Sequence, residues 1–223
     1  MELGRGVGGL AMKIAVIGAG KVGSALGSGW AEVGHTIVFG VRDLAKAELK
    51  ALCARTGAEA ALSADAAREG DIVVLALPWS VAENAVRSLG DLRGKIIIDC
   101  MNPLAMKDGA LGLERGYTTS GWEAVASWIP GANVVKTFNQ VGAEMMTAGR
   151  RFKTRPVMFL AGENDTAKAT VGQLVTELGF EALDAGGMKQ ARILEPLAMV
   201  WINQALFRGL GRDWAFGVLR PTT

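Results

Sequence analysis

Between Lys13 and Asp43 the chain reads KIAVIGAGKVGSALGSGWAEVGHTIVFGVRD. Apolar residues Ile14 to Ile17 run straight into Gly18-Ala19-Gly20-Lys21-Val22-Gly23. A helical stretch follows from Ser24 to Glu32, and a second apolar run, Thr36 to Phe39, ends at Gly40-Val41-Arg42. A strand, a glycine turn, a helix and a strand within about 30 residues form the signature of a dinucleotide-binding unit. Gly18 permits the tight turn, Gly20 lets the backbone come close to a pyrophosphate, and Gly23 lets the helix pack on the strand. The helix start then offers unpaired N–H groups and the positive end of its dipole to phosphate.

The end of the second strand selects the nucleotide. A binder of NAD places an acidic residue there, on the ribose hydroxyls. This chain has Val41-Arg42, with Lys46 a turn further on. A guanidinium can fork around a 2′-phosphate and stack on adenine, so Arg42 and Lys46 point to NADP. Asp43 is read as the cap of a helix running from Leu44 to Thr56.

The rest of the chain alternates as a parallel sheet with crossover helices does. Asp71 to Leu77, Lys95 to Cys100 and Asn133 to Phe138 are apolar runs suited to strands buried on both faces. Pro156 to Ala161 and Glu181 to Asp184 are the later strands. Helices are expected at Ser63–Glu69 (with Ser63 as a cap), Val81–Leu89, Trp122–Ile129, Val141–Ala148 and Ala167–Leu178, and as one long segment from Lys189 to Leu210. The fold class is therefore α/β, a Rossmann-type doubly wound, mostly parallel sheet with a C-terminal helical segment. The expected division is a flexible extension over 1–11 (or an upstream start before Met12), an NADP-binding domain over 12–184, and a helical cap or interface segment over 185–223.

Composition narrows the function. The chain has 223 residues, half of them hydrophobic, and a formal net charge of +2. That near-neutral balance gives no electrostatic footprint for nucleic acid. No apolar run has the length of a spanning helix, so no membrane partner is expected. Cys53 and Cys100 lie far apart, which fits free thiols in a reducing cytoplasm. The single histidine, His35, rules out a histidine-rich metal centre.

In an open parallel sheet, ligands sit beyond the carboxyl ends of the strands. The residues there are Pro78-Trp79-Ser80, Met101-Asn102-Pro103, Asn139 to Ala143, and Ala185-Gly186-Gly187-Met188. They supply an indole, amides and apolar surface, suited to a flat ring system. They hold no histidine and no evident acid–base pair. An alcohol dehydrogenase needs a group to move the hydroxyl proton, and Lys136, inside a strand, is the one strong candidate. Hydride exchange between two rings needs chiefly their positioning, so no catalytic side chain is assigned.

The strings GAGKVGSALG, GHTIVFGVRD, ALPW, DCMNP, VVKTFNQVGAEMM and LDAGGMKQARILEPLAMVW occur in the order found in NADP-dependent oxidoreductases of the deazaflavin (coenzyme F-420) type. The resemblance spans Met12 to Leu210. The chain also resembles the NADPH/flavin reductase domain of the six-transmembrane epithelial antigen metalloreductases. The resemblance implies that Ala19, Gly20, Lys21 and Val22 lie along the pyrophosphate, and that Val41, Arg42 and Lys46 surround the 2′-phosphate. It puts Leu77, Pro78 and Trp79 beside the nicotinamide half, and Val141 and Ala143 at the ring-stacking site. Gly186, Gly187 and Met188 would touch the partner ring, while Asn102, Pro103 and Asn139, from the strand-end loops, are read as substrate-binding. Ala19 and Val41 stand where the archaeal deazaflavin enzymes tend to carry hydroxyl residues, and Asn139 where they tend to carry histidine. The implied partner is coenzyme F-420, or a flavin such as FAD or FMN, in a cytoplasmic homodimer. Two other readings stay open: a dehydrogenase or imine reductase of a small carbonyl substrate, and a non-catalytic NADP-binding redox sensor.

If Arg42 holds the 2′-phosphate, Arg42→Ala should weaken NADPH binding by roughly 10- to 150-fold, the equivalent of a charged hydrogen bond, and spare NADH. Calorimetry on both nucleotides checks this; equal affinity for the two in the unchanged protein would contradict it.

Overall fold

The structure is a computed structural model that describes residues 10–221. The chain opens with β1 (Lys13–Ile17), α1 (Lys21–Glu32), β2 (Thr36–Val41), α2 (Ala47–Thr56), β3 (Glu59–Leu62) and α3 (Ser63–Glu69). It continues through β4 (Ile72–Leu75), α4 (Trp79–Arg87), β5 (Ile96–Asp99), a hairpin of β6 (Leu104–Lys107) and β7 (Ala110–Leu113), and α5 (Gly121–Trp128). It ends with β8 (Asn133–Lys136), β9 (Val157–Ala161), α6 (Asp165–Glu177), β10 (Glu181–Gly186) and α7 (Ala191–Ile202).

Eight strands form one sheet in the order β10-β9-β8-β5-β4-β1-β2-β3. The six strands from β3 to β8 are mutually parallel. Their order reverses between β1 and β4, which opens a crevice beyond the carboxyl ends at that switch point. Period-two alternation then fills both faces. Ile14 and Val16 of β1 join Leu26, Trp30 and Leu174 under α1, α2 and α6. Ala15 and Ile17 join Ala66, Val86, Val125 and Ala191 under α3, α4, α5 and α7. Burying each such branched aliphatic side chain stabilises the fold by about 1.5–3 kcal/mol, so the parallel strands are fixed from both sides.

Several expectations are corrected. β9 runs antiparallel to β8, pairing Ala161 with Lys136, and β10 follows β9 in parallel. Two short pairings, β3 and the β6–β7 hairpin, are additional to the sequence reading. The hairpin turns on Asp108 and Gly109, both at positive φ, which is the Asp-Gly turn signal. Residues 141–148 form no α-helix. They make a 3-10 turn over Ala143–Met145, and Ala148 N–H closes the next turn on Met145 O. α2 starts at Ala47, because Asp43 spends its carboxylate on the Ala45 N–H two residues on and shapes a turn instead of capping the helix. Ser63 is the first helical residue of α3 and makes no capping bond. The expected helix from Lys189 to Leu210 divides into a 3-10 turn, α7 and a π turn over Asn203–Phe207. The expected extension, Met1 to Ala11, lies outside the described residues except for Leu10 and Ala11, which are exposed and in no element.

α7 buries Ala191, Leu194, Glu195, Ala198, Trp201 and Ile202. Its outer side leaves Ile193 and Val200 exposed, as are Leu206, Phe207 and Leu210 beyond it. No helix among the described residues is long and apolar enough to cross a membrane.

Candidate functional site

The three glycines of the turn meet different surroundings. Gly18 sits at φ +103°, and a Cβ there would stand 2.5 Å from Ala76 O of the strand-end segment after β4. Gly23 has no such room either: a Cβ would fall 1.9 Å from Gly18 O, so α1 rests directly on the loop. Gly20 is different. It is the N-cap of α1, it has no side chain to cap the helix, and a Cβ there would meet nothing within 4 Å. The first turn of α1 holds no acidic residue. The result is a helix N-terminus with open space in front of it and N–H groups pointing outward, the arrangement that receives a phosphate. Ala19 and Val22 are half-buried on this loop and Lys21 is exposed.

Val41 ends β2 half-buried, and Arg42 and Lys46 lie exposed just beyond it. Both cations stand at the carboxyl edge on the same side of the switch point as the glycine loop. Lys46 is the N-cap residue of α2.

On the other side of the switch point, Leu77 and Pro78 lead into Trp79, the first residue of α4. Trp79 is held by its surroundings. Its indole N–H donates to Glu114 at 2.9 Å, and its ring lies against Trp128 with centroids 5.4 Å apart. Asn102 and Asn139 face each other across the ends of β5 and β8. Asn102 Nδ2 donates to Asn139 O at 2.8 Å, and Asn139 Nδ2 donates to Asn102 Oδ1 at 3.0 Å and to Leu194 O at 3.1 Å. Asn139 Oδ1 accepts from Gln140 Nε2, and Gln140 in turn bonds both the N–H and the C=O of Phe159. The Asn139 side chain therefore braces β5, β8, β9 and α7. Phe138 before it sits at φ +57°, an uncommon conformation for a bulky residue. The neighbouring loop brings Val141, buried, and Ala143, half-buried, beside α1. Glu144 follows them. Burial would raise its carboxyl, but its own backbone N–H, Arg212 and Lys21 together hold it below the usual range.

Gly186, Gly187 and Met188 are not gathered with these loops. Gly186 is level with Ala161, and because β10 runs against the parallel strands, the chain then heads back toward their amino ends. Met188 N–H donates to Glu163, past the end of β9. The expectation assumed a parallel last strand, and the antiparallel β9 and β10 overturn it.

The one candidate proton donor, Lys136, and the single histidine, His35, are also accounted for. His35 precedes β2 at the amino edge, where Nδ1 accepts from Met12 N–H and Nε2 lies 2.8 Å from Glu177. Lys136 is sealed in the interior with Asp99 Oδ2 at 3.0 Å and Glu195 Oε1 at 2.9 Å, every side chain at most 1% exposed. Burial alone would lower the Lys136 ammonium, but the two carboxylates outweigh it and its pKa is raised. Burial raises the Asp99 carboxyl, with Lys136 opposing and Glu195 reinforcing that shift. Asp99 and Glu195 were missed in the sequence, although each is a lone charge in an apolar run (IIID and ILEPLAM), as Lys136 is in NVVK. Charges buried at such places are normally paired.

A family model described as NADP oxidoreductase, coenzyme F420-dependent, matches residues 13–103. The F420-dependent NADP reductase of Methanothermobacter thermautotrophicus is 28% identical over 214 residues, 87% of this chain and 89% of that protein. Metalloreductase STEAP3 of Rattus norvegicus is 28% identical over 192 residues, 85% of this chain, and the chain spans only 37% of that protein's length. A crystal structure from Arthrobacter sp. FB24, provisionally described as an F420-dependent NADP-reductase, superposes with a TM-score of 0.86 at 32% identity, covering 94% of this chain and 100% of the other.

The two inner glycines give opposite expectations. Gly20→Val should fold normally and lose most of its affinity for NADP(H), because its side chain fills the space before α1. Gly23→Ala should lower thermal stability, by about 1–3 kcal/mol as overpacked sites do. Thermal melts and nucleotide titrations of both variants check this; a Gly20→Val protein with native affinity would place the dinucleotide elsewhere.

Proposed function

This chain belongs to the coenzyme F420-dependent NADP oxidoreductases and is an NADP-dependent oxidoreductase, and from that premise we propose that its hydride partner is a deazaflavin of the coenzyme F-420 type. The observation that carries the proposal is that neither the one candidate proton donor, Lys136, nor the single histidine is exposed at the strand-end loops. His35 lies at the opposite edge, and Lys136 is sealed among carboxylates. NADPH supplies a hydride at its nicotinamide ring when bound. The chain's own contribution is positional. The open N-terminus of α1 binds the pyrophosphate, Arg42 and Lys46 bind the 2′-phosphate, and the Leu77–Trp79 turn, Asn102–Pro103 and Val141–Ala143 line the ring end.

The likeness to the metalloreductase makes FMN and FAD the competitors to test. Mixed with NADPH and each acceptor in turn, the protein should oxidise NADPH with the deazaflavin at least tenfold faster than with FMN, FAD or riboflavin. Faster turnover with a flavin would move the assignment to flavin reduction. Turnover only with a small ketone or imine would favour the carbonyl reading, and binding of NADPH with no turnover of any acceptor would favour the sensor.

We read the protein as cytoplasmic and homodimeric, with α7 at the subunit contact. The reason is the apolar surface that α7 and the following turn leave uncovered, Ile193, Val200, Leu206 and Phe207 being 48–64% exposed. Light scattering at micromolar concentration should give twice the chain mass; the mass of one chain would count against the dimer.

A further inference from the structure

Asp99, Lys136 and Glu195 belong to no step of the hydride reaction, yet they hold the start of the Asn102–Pro103 loop and the first turn of α5 beside its ring end. Asp99 Oδ1 accepts the Met101 N–H at 2.9 Å, and Lys136 Nζ donates to Met101 O. Both backbone polar groups of Met101 are thus held by the cluster, and the Asn102–Pro103 loop departs from that fixed residue. Glu195 reaches across from α7. Its Oε2 accepts Gly121 N–H at 2.9 Å, and its Oε1 accepts Trp122 N–H at 3.1 Å as well as Lys136. A carboxylate from α7 therefore sits on the first turn of α5, where the helix dipole favours negative charge.

The ring end lies close by, across Gly121. The point at which a Gly121 Cβ would stand is 3.1 Å from Glu195 Oε1, 3.2 Å from the Trp79 ring and 3.3 Å from the Pro103 ring. Carboxylate, indole and proline meet around one glycine. Stability alone does not account for this arrangement, since apolar residues of similar volume commonly serve a core as well as a buried ion cluster. What the ions add is direction, because each oxygen and each proton fixes one partner.

We propose that Glu195, acting through Lys136 and the first turn of α5, is a positioning residue that sets Trp79 and the Asn102–Pro103 loop for the nicotinamide end of the dinucleotide. The proposal rests on the reading that these loops receive the nicotinamide. Glu195→Gln is the sharp test. Both oxygens of Glu195 accept N–H donors, so an amide NH2 meets a donor in either orientation, while volume is unchanged.

Two ligands separate the ends of the site: 2′,5′-ADP, which carries only the adenosine half, and NADP+. Calorimetry on Glu195→Gln should give an affinity for 2′,5′-ADP within about twofold of the unchanged chain, while the affinity for NADP+ falls about tenfold, as loss of a charged hydrogen-bond arrangement would do. Gly121→Ala presses a methyl group onto the same three neighbours without altering charge and should give the same split. It also decides the matter if Glu195→Gln fails to melt cooperatively. Equal losses for both ligands, or native NADP+ affinity in a folded variant, would overturn the proposal. If NADP+ binds the unchanged chain no better than 2′,5′-ADP does, the nicotinamide reading itself falls and the proposal falls with it.

Discussion

A single buried ammonium organises the functional edge of this molecule. Lys136 is at most 1% exposed, with a carboxylate from β5 on one side and one from α7 on the other. Taking such ions out of water costs several kcal/mol each, and only close pairing and full hydrogen bonding offset that cost. The pairing here is close, and the remaining oxygens and protons go to backbone groups of Met101, Gly121 and Trp122. Satisfying the charges therefore fixes the loop after β5, the start of α5 and the path of α7. The same burial removes Lys136 from any contact with substrate.

The two ends of the proposed dinucleotide site follow different physical rules. At the adenosine end the recognition groups are open to solvent: an uncapped helix N-terminus behind Gly20, and the exposed cations Arg42 and Lys46. Such groups bind charge and can be read from sequence spacing. At the ring end the polar side chains are spent on one another. Asn102, Asn139 and Gln140 form a closed amide network, and the Trp79 indole N–H is taken by Glu114. What remains for a ligand there is shape and apolar surface, the environment in which a flat ring is held by packing.

This contrast also explains what the sequence could reveal. The glycine turn, the parallel strands β1, β2, β4, β5 and β8 and the helices between them were legible, because continuous apolar runs and glycine spacing are local signals. The antiparallel turn at β9 was not, since nothing local in PVMFLA distinguishes the two directions, and Gly186 to Met188 were misplaced as a consequence. The Asp108-Gly109 hairpin had a local signal that went unread. Val141 to Ala148 makes only a 3-10 turn, with Gly142 packed close to Trp201, 59 residues away in the chain. The Lys136 cluster left only the trace of three lone charges in apolar runs, and their pairing became visible only when the strand register put Lys136 beside Asp99.

The central claim is that hydride passes directly from ring to ring, with the protein positioning both. The most direct measurement uses NADPH stereospecifically deuterated at the reactive carbon, with the deazaflavin as acceptor and mass spectrometry of the product. Label from one face should appear on the deazaflavin carbon and persist, with none arising from deuterated solvent in the reverse experiment. Deuterium lost to water, or found on a small carbonyl product in place of the ring, would contradict the account.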